Sequence, residues 1–500
     1  DLYRVELFDA RDRPALILDH IETSLSWLSL PLAEPRLARL VIHRPQLSVR
    51  RETDGTLYVA GISMSGPSRP EFPNWLLRQS QVDILDAAVI WQDDLRGAPP
   101  LELRNLTFRL ASPPWEQLIG RHRFGLRATP SVGASGPIEI RGNLLGSDVS
   151  RLQEWRGTLY ARADGTQLAD WSPWISYPFD IRQGFGAARF WLEFSENRID
   201  TITADVLLQN LSSRFGRLAQ EITLQNVAGR LQWDRLKDGS ELRASKVRLS
   251  SGGLQMQDGE LKLVERSVNG VHRIAGMLQL ENIGLEPLTV FAGSLPLDKS
   301  FTEPLAQASP RGQLHRLELD WQTDAGALSR YTLRSRFSQL GVNRFGNIPG
   351  FTNASGSIDA SQDGGTLNLE ASKSVINAPD LFRWPLPLDQ LSGQVQWKWR
   401  QALLEVKISN VALASPHLAA TFNAVYRTAK SGLGEIDLNG RIARAEIKQA
   451  RYYFPRQLGK DTLHWLDTSF LGGSAADFNI EVRGNRDQFP WPDSKNGLFK

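Results

Sequence analysis

The sequence predicts a mainly β protein: a long, curled, mostly antiparallel sheet that forms an elongated apolar groove, with a few short helices. Three observations support this fold class. Apolar and polar residues alternate with a period of two along most of the chain, turn dipeptides recur at short spacing, and helical patterns are rare. A strand with this alternation carries one apolar face and one polar face.

The alternation recurs in every part of the chain. Val395 and Trp397, for example, flank Gln396, which places the two apolar side chains on one face of a strand. Comparable segments span residues 101–110, 138–141, 190–194, 246–249, 316–321, 394–399 and 406–408. We therefore expect strands at each of these segments.

Two short motifs accompany the strands. Asp-Gly dipeptides, which favour hairpin turns, occur at Asp54-Gly55, Asp164-Gly165, Asp238-Gly239, Asp258-Gly259 and Asp363-Gly364. An apolar-x-Asn-apolar motif occurs at Leu103–Leu106, Leu208–Leu211, Leu224–Val227, Leu280–Ile283 and Ile408–Val411. Because the intervals are irregular, we interpret them as one strand design used many times, not as a short-period solenoid.

Helical patterns are confined to a few short segments. They cover residues 73–79, 114–120, 149–155 and 446–471, and the last segment predicts two short helices interrupted by Pro455 and Gly459. Helices this few cannot cover a sheet of the expected size. The apolar side of the sheet must therefore close on itself, pair with another sheet, or remain open.

Composition excludes several classes of protein. The 500 residues are 41% hydrophobic and 23% charged, as in folded proteins, and include no cysteine, so disulfides and thiolate metal sites are excluded. The net charge of +3 is spread along the chain, which argues against nucleic-acid binding. No apolar run approaches the ~20 residues of a membrane helix. Since the chain begins without methionine, we interpret it as a fragment whose membrane anchor lies upstream.

The sequence carries no recognisable catalytic motif. Its seven histidines are scattered, with no pair at ligand spacing, so we expect no metal site. Nucleophile-elbow, zinc-protease, P-loop and dinucleotide-binding motifs are also absent from the sequence. We therefore predict no catalytic residue and no cofactor. A paired-carboxylate hydrolase on a β scaffold stays open as an alternative, because such pairs are invisible in sequence.

Large open apolar surfaces mark binding sites in soluble proteins, so an open face predicts a groove for acyl chains. Alternation alone favours a sandwich or barrel with a filled core, and the groove hypothesis depends on the scarcity of helices and linkers. The candidate lining residues are Leu101, Leu103, Ile138, Ile140, Phe190, Leu192, Phe194, Leu278, Leu280, Leu317, Leu319, Val395, Trp397, Val406 and Ile408.

Six short motifs follow one another near the C-terminus: Tyr452-Tyr453-Phe454-Pro455, Leu458-Gly459, Thr462-Leu463-His464-Trp465-Leu466, Leu471-Gly472-Gly473, Val482-Arg483-Gly484-Asn485 and Phe489-Pro490-Trp491-Pro492. Their order resembles the YhdP family of AsmA-like proteins, which is related more distantly to TamB. The stretch 386–393 fits the same family, and residues 5–58 look like an AsmA-type amino-terminal region.

The resemblance implies a non-enzymatic protein that moves phospholipid between the inner and outer membranes along a β-sheet groove. It implies a periplasmic location, an inner-membrane helix upstream and outer-membrane contacts through chain beyond this fragment. We expect an AsmA-like region at 1–130, groove strands at 131–445, and a helical insert followed by further groove strands at 446–500. The alternative is a structural envelope spacer with a filled β core and no lipid cargo.

Overall fold

A computed structural model describes residues 2–8, 14–32, 34–60, 62–63, 71–177, 179–214, 221–268, 270–295, 299–346, 348–454, 456, 458–488, 491 and 497–500. About 66% of the chain is strand and 12% is helix. The predicted fold class, a mainly β and mostly antiparallel sheet with few short helices, is confirmed. The chain divides into two compact units, Asp1–Ser251 and Gly252–Lys500, and each is described by itself.

The N-terminal unit contains strands β1–β15 and helices α1–α3. The strands are β1 (Leu2–Phe8), β2 (Pro14–Leu25), β3 (Leu37–His43), β4 (Gln46–Arg51), β5 (Leu57–Val59), β6 (Ile62–Ser63), β7 (Gln81–Asp93), β8 (Ala98–Ala111), β9 (Arg121–Pro130), β10 (Ile138–Leu145), β11 (Arg156–Gln167), β12 (Asp180–Ser195), β13 (Arg198–Arg214), β14 (Glu221–Leu236) and β15 (Gly239–Ser251). The helices are α1 (Ser29–Leu32), α2 (Glu71–Leu77) and α3 (Pro114–Gln117).

The C-terminal unit contains strands β16–β28 and helices α4–α6. The strands are β16 (Leu254–Val268), β17 (Val271–Gly284), β18 (Arg311–Asp324), β19 (Ala327–Val342), β20 (Gly350–Ser361), β21 (Gly364–Asn377), β22 (Leu386–Arg400), β23 (Leu403–Ala414), β24 (Leu418–Arg427), β25 (Glu435–Glu446), β26 (Ser474–Ala475), β27 (Phe478–Asn485) and β28 (Gly497–Phe499). The helices are α4 (Leu285–Ser294), α5 (Lys299–Ala308) and α6 (Lys460–Ser469).

Strands that follow one another in sequence pair antiparallel through most of each unit. Each strand from β7 to β14 pairs antiparallel with the strand that follows it in sequence. The same holds for each strand from β16 to β24. The parallel exceptions lie in the N-terminal unit, where β7 pairs with both β3 and β4. In the C-terminal unit, β25 pairs with β26 and β27, and β27 pairs with β28.

The Asp-Gly dipeptides divide into turns and bulges. Asp54-Gly55, Asp238-Gly239 and Asp363-Gly364 lie at turns between paired strands, as predicted. The prediction is wrong at Asp164-Gly165 and Asp258-Gly259, which lie inside β11 and β16 where the register shifts. Gly165 and Asp258 have φ values of 63° and 52° there. An Asp-Gly dipeptide suits both hairpin turns and bulges, so the dipeptide alone does not distinguish them.

Most of the apolar-x-Asn-apolar motifs are also bulges. Asn105, Asn210 and Asn410 have φ values of 50°, 48° and 54° at register shifts inside strands. Asn282 has a φ of 53°, but its ladder with β18 continues in regular register. Asparagine tolerates this left-handed conformation better than most residues, and the extra residue keeps the flanking apolar side chains on one face. Asn226, in the same motif, pairs with Gln209 in regular register, and its φ is not positive.

The four predicted helical segments contain helix or 3₁₀ helix, with shifted ends. They correspond to α2, α3, a 3₁₀ helix at Val149–Glu154, and a 3₁₀ helix at Ile447–Tyr452 followed by α6. The sequence analysis missed α4 and α5. Pro287 lies in the first turn of α4, where proline costs no helical hydrogen bond. Pro304 lies inside α5. Because each of these two segments contains a proline, the sequence pattern did not indicate a helix in either. Within the described ranges, no helix combines the length and apolar character needed to span a membrane.

A packed core lies where β4, β7, β8 and β9 meet. Ala87, Val89, Leu106 and Ala128 are buried there, and Leu103 packs against them. Close packing of small and branched side chains holds these strands together.

A buried carboxylate ties three strands together close to this core. Asp83 on β7 is 1% exposed and accepts hydrogen bonds from Arg109 Nε at 2.6 Å, Gln81 Nε2 at 2.7 Å and Arg39 Nη2 at 3.2 Å. Burial by itself raises the pKa of Asp83, but the hydrogen bonds and the charge of Arg109 outweigh burial and hold the pKa below its usual value. Asp83 therefore stays ionised and connects β3, β7 and β8.

Candidate functional site

The C-terminal unit aligns its apolar side chains into two adjacent cross-strand rows on one sheet face. Directly opposed residues on neighbouring strands lie on the same face, so the strand registers define each row. Row 1 comprises Leu261, Leu278, Leu319, Leu333, Ala360, Gly365, Trp397, Val406, Tyr426, Ile436 and Gly484. Row 2 comprises Leu280, Leu317, Ser335, Ile358, Leu367, Val395, Ile408, Ala424, Leu438 and Val482.

Row 2 contains one serine, Ser335, among its apolar residues. Ser335 lies between Leu317 and Ile358, and its Oγ donates a 2.9 Å hydrogen bond to the Arg316 carbonyl. The hydroxyl is therefore satisfied by backbone, and the row presents no unpaired polar group at that position.

The N-terminal unit builds two rows of the same kind. Row 3 comprises Val82, Leu110, Phe124, Gly142, Leu159, Leu192, Ile202, Trp233 and Leu242. Row 4 comprises Ile84, Phe108, Leu126, Ile140, Ala161, Phe190, Ala204, Leu231 and Ala244. Each row crosses β7 to β15 without a charged residue.

The opposite sheet face is polar in both units. In the C-terminal unit, the residues between rows 1 and 2 form the cross-strand series Gln279, Glu318, Arg334, Asp359, Thr366, Gln396 and Lys407. Arg334 pairs with Asp359 at 3.3 Å, and Arg230 pairs with Asp205 at 2.6 Å on the N-terminal unit. Hydrogen bonds from Arg230 hold the pKa of Asp205 below its usual value. This face therefore has the charged character of a solvent-facing surface.

The rows are only partly buried by the protein's own side chains. Among the fifteen predicted lining residues, Leu101 and Leu280 are buried at 6% and 7% exposure. Phe190 is 42% exposed, and Leu231, another member of row 4, is 41% exposed. The remaining twelve lining residues have intermediate exposure. Core residues of a filled sandwich are almost fully buried, so the rows keep apolar surface free for another apolar group.

Aromatic rings on the face that carries the rows pack against glycines of the neighbouring strand. A Cβ placed on Gly142 would lie 2.7 Å from Phe124 Cζ and 2.8 Å from Cδ1, and closer still to Cε1. Gly276 faces the ring of Trp321 in the same way, and Gly365 faces that of Trp397. The rings occupy space that a Cβ would take, so they pack directly on the backbone of the neighbouring strand.

The amino-acid sequence matches a known protein family along nearly its whole length. The family model described as YhdP protein matches residues 2–500. This chain belongs to the YhdP family. A curated relative from Escherichia coli (strain K12), named "Intermembrane phospholipid transporter YhdP", is 23% identical over 386 residues, which cover 74% of this chain and 30% of the relative. The chain therefore spans about 30% of the length of that relative. No solved structure matches significantly.

In this YhdP-family chain, the structure brings most of the predicted lining residues together within each unit. Row 1 contains Leu278, Leu319, Trp397 and Val406, and row 2 contains Leu280, Leu317, Val395 and Ile408. Row 3 contains Leu192, and row 4 contains Ile140 and Phe190. Ile138 and Phe194 lie on the same strand faces as rows 4 and 3, opposite Ala163 and Gly157. Leu103 and Leu101 lie on β8 opposite Val89 and Trp91, and Leu103 packs against the buried core.

The sequence reasoning missed several row members. Leu333, Ile358, Leu367, Leu438 and Val482 belong to the rows but were not among the predicted lining residues. Ile358 lies inside β20 two residues after Gly356. The others carry no signal beyond the alternation itself.

An ion pair anchors α6, the helix that carries one of the C-terminal motifs. Arg383, before β22, donates to both carboxylate oxygens of Asp467 on α6 at 2.6 and 2.8 Å. The hydrogen bonds from Arg383 hold the pKa of Asp467 below its usual value. Trp465 on the same helix is 60% exposed and contacts the ring of Phe470. The ion pair thus anchors a helix that carries an exposed aromatic side chain, Trp465.

Proposed function

We propose that this chain holds phospholipid acyl chains along its apolar sheet faces and conveys the lipid passively between the inner and outer membranes. The supporting observation is the set of four cross-strand rows, which are apolar, only half-buried and backed by a charged face. Membership of the YhdP family and the printed name of the Escherichia coli relative support phospholipid as the cargo.

The energy of holding lipid comes from burial of apolar surface. Removing a methylene from water contributes about 0.8 kcal/mol, so an acyl chain laid along a row gains several kcal/mol without a specific contact. Neighbouring strands are about 4.8 Å apart, so each row offers an apolar contact at every strand and no large barrier between contacts. The lining residues proposed from the sequence supply these contacts, and no step requires a proton transfer or a covalent bond.

The proposal extends to the whole protein of which this chain is a part. We place it in the periplasm, with an inner-membrane helix upstream and outer-membrane contacts through chain further downstream. An AsmA-like region at 1–130, groove strands at 131–445, and a helical insert with further strands at 446–500 complete the proposed organisation. The proposed role is non-enzymatic.

Photo-crosslinking from adjacent positions on one strand tests the proposal. Leu319 lies in row 1, and Glu318 lies on the charged face directly beside it in sequence. A photo-crosslinking amino acid at position 319 in cells is expected to yield phospholipid adducts, and the same group at 318 is expected to yield few. The pair Leu192 and Glu193 repeats the test on β12.

The outcome distinguishes the proposed lipid conduit, an apolar sheet face that carries lipid, from a structural spacer with a filled core. Phospholipid adducts at 319 and 192, with at least about a tenfold excess over 318 and 193, support the conduit, since the two faces differ in apolar surface. Equal labelling at both members of each pair, or no lipid adduct at any position, overturns the proposal and favours a spacer whose apolar face is covered by protein.

A further inference from the structure

Three side chains with metal-ligand chemistry meet on the first strands of the N-terminal unit. His20 and Glu22 are two residues apart on β2 and therefore share a face of the sheet. His43 on β3 is the direct cross-strand partner of His20. Antiparallel pairing thus assembles a His-x-Glu motif and a second imidazole, which are distant in sequence, into one cluster.

The ligand atoms of the cluster are close together. His43 Nε2 lies 2.9 Å from Glu22 Oε1, and His20 Nδ1 lies 3.8 Å from the same oxygen. The imidazole rings stack with centroids 5.1 Å apart and an interplanar angle of 18°. All three ligand atoms lie within 4.8 Å of one another. In a tetrahedral zinc site with bonds of about 2.1 Å, ligand atoms are about 3.4 Å apart, so small side-chain rotations suffice.

The cluster is accessible, and among the described side chains of β2 and β3 no lysine or arginine competes with a bound ion. The side chains of His20, His43 and Glu22 are 24%, 30% and 49% exposed, so an ion can enter from solvent. Arg39, on the same face of β3 as His43, is engaged by Asp83, and Arg44, on the other face, pairs with Asp19 at 2.5 Å. The acceptor Glu22 Oε1 therefore faces two imidazoles rather than a guanidinium.

We propose that His20, Glu22 and His43 form a binding site for a divalent transition-metal ion of the Zn²⁺ class. Two imidazole nitrogens and one carboxylate oxygen are ligands that zinc prefers, and a fourth position stays open to water. A bound ion connects β2 to β3 across their ladder and stabilises the folded N-terminal unit, because it binds the folded chain in preference to the unfolded one. Hard cations such as Mg²⁺ prefer oxygen ligands and are excluded.

The chain itself offers matched controls. His272 and Glu265 form a His–Glu pair at 3.3 Å on β16 and β17, and His417 and Glu446 form another at 3.6 Å. Among the residues that the structure describes, neither pair belongs to a group of three ligands, whereas His20, Glu22 and His43 do. The proposed site therefore differs from an ordinary surface His–Glu contact by the second imidazole.

Calorimetric titration of the chelator-stripped chain with Zn²⁺ tests the proposal. We expect binding of about one equivalent that is weakened at least about tenfold by Glu22→Gln and more by His43→Ala. The amide that replaces the carboxylate in Glu22→Gln keeps an oxygen acceptor for His43, so this variant separates lost metal affinity from lost folding. Glu265→Gln and His272→Ala are expected to leave the affinity unchanged. Zn²⁺ should raise the Tm of the wild type, and Mg²⁺ should not.

Two results would overturn the proposal of a metal site. One is the absence of stoichiometric Zn²⁺ binding by the correctly folded chain. The other is a loss of affinity in Glu265→Gln that equals the loss in Glu22→Gln, since it would assign the binding to surface carboxylates in general. Co²⁺ in place of Zn²⁺ adds a spectroscopic check, because a tetrahedral site with imidazole ligands gives strong visible absorption that the His43→Ala variant should lose.

Discussion

The contact between Gly142 and the ring of Phe124 gives a sharp test of how the apolar rows are built. Replacing Gly142 by valine places a Cβ 2.7 Å from Cζ of that ring and closer still to Cε1. Carbon atoms in contact are normally about 3.5–4.0 Å apart, so the ring must move by about 1 Å or more. Overpacking of this kind costs about 1–3 kcal/mol of unfolding free energy.

Gly125 provides the matched control, because it is the next residue to Phe124 on β9 and a Cβ there meets nothing within 4 Å. We expect Gly125→Val to leave the unfolding free energy unchanged or slightly higher, since valine favours strands. Each kcal/mol lost corresponds to about 2–4 °C in Tm for a domain of roughly 250 residues. Gly142→Val should therefore lower the Tm of the N-terminal unit by about 2–12 °C, measured by scanning calorimetry.

A double-mutant cycle assigns the loss to the ring. With Phe124→Ala as the background, valine at position 142 should cost at least about 1 kcal/mol less than it does in the wild type. An additive cycle, or equal losses at positions 142 and 125, would refute the conclusion that the ring of Phe124 packs directly against Gly142.

Four further substitutions test other parts of the structure. Asp83→Asn should cost about 1–3 kcal/mol in urea unfolding at neutral pH, because two arginines lose their buried carboxylate. Since the folded pKa of Asp83 is lowered, its contribution is complete above the unfolded pKa of about 3.9 and is lost as the pH falls through the folded pKa, so wild type and variant should converge in acid. Asn282→Gly should be nearly neutral because φ is 53° there, whereas Asn226→Gly, where φ is not positive, should cost about 0.5–1 kcal/mol; a reversed order contradicts the left-handed conformation of Asn282. Asp467→Asn should speed amide exchange in α6, measured by mass spectrometry, because Arg383 loses its charged partner; unchanged exchange would contradict this anchoring.

The strand faces were predictable from sequence because the period-two alternation is local. Leu278 and Leu280 on β17 face Leu319 and Leu317 on β18, as the alternation of each strand requires. The alternation does not give the pairing partner, so the sequence could not show that Trp397 lies opposite both Gly365 and Val406.

Features that depend on pairing between distant segments were not predictable. The parallel ladders of β7 with β3 and β4 have no local signature. The cluster of His20, Glu22 and His43 arises in the same way, because spacing along the sequence does not reveal that β2 and β3 bring the imidazoles together. Asp164-Gly165 was mistaken for a hairpin turn because its left-handed conformation serves a bulge equally well.

Native mass spectrometry of the purified chain is the most direct test of the central claim that the apolar rows hold lipid. The wild type should retain phospholipid. Val395→Glu, which puts a charge into row 2, should lose most of it, because burying an unpaired carboxylate is strongly unfavourable. Gln396→Glu, which places the same charge on the polar face opposite Lys407, should retain it. A wild-type chain free of lipid, or equal lipid content in the two variants, would contradict the account.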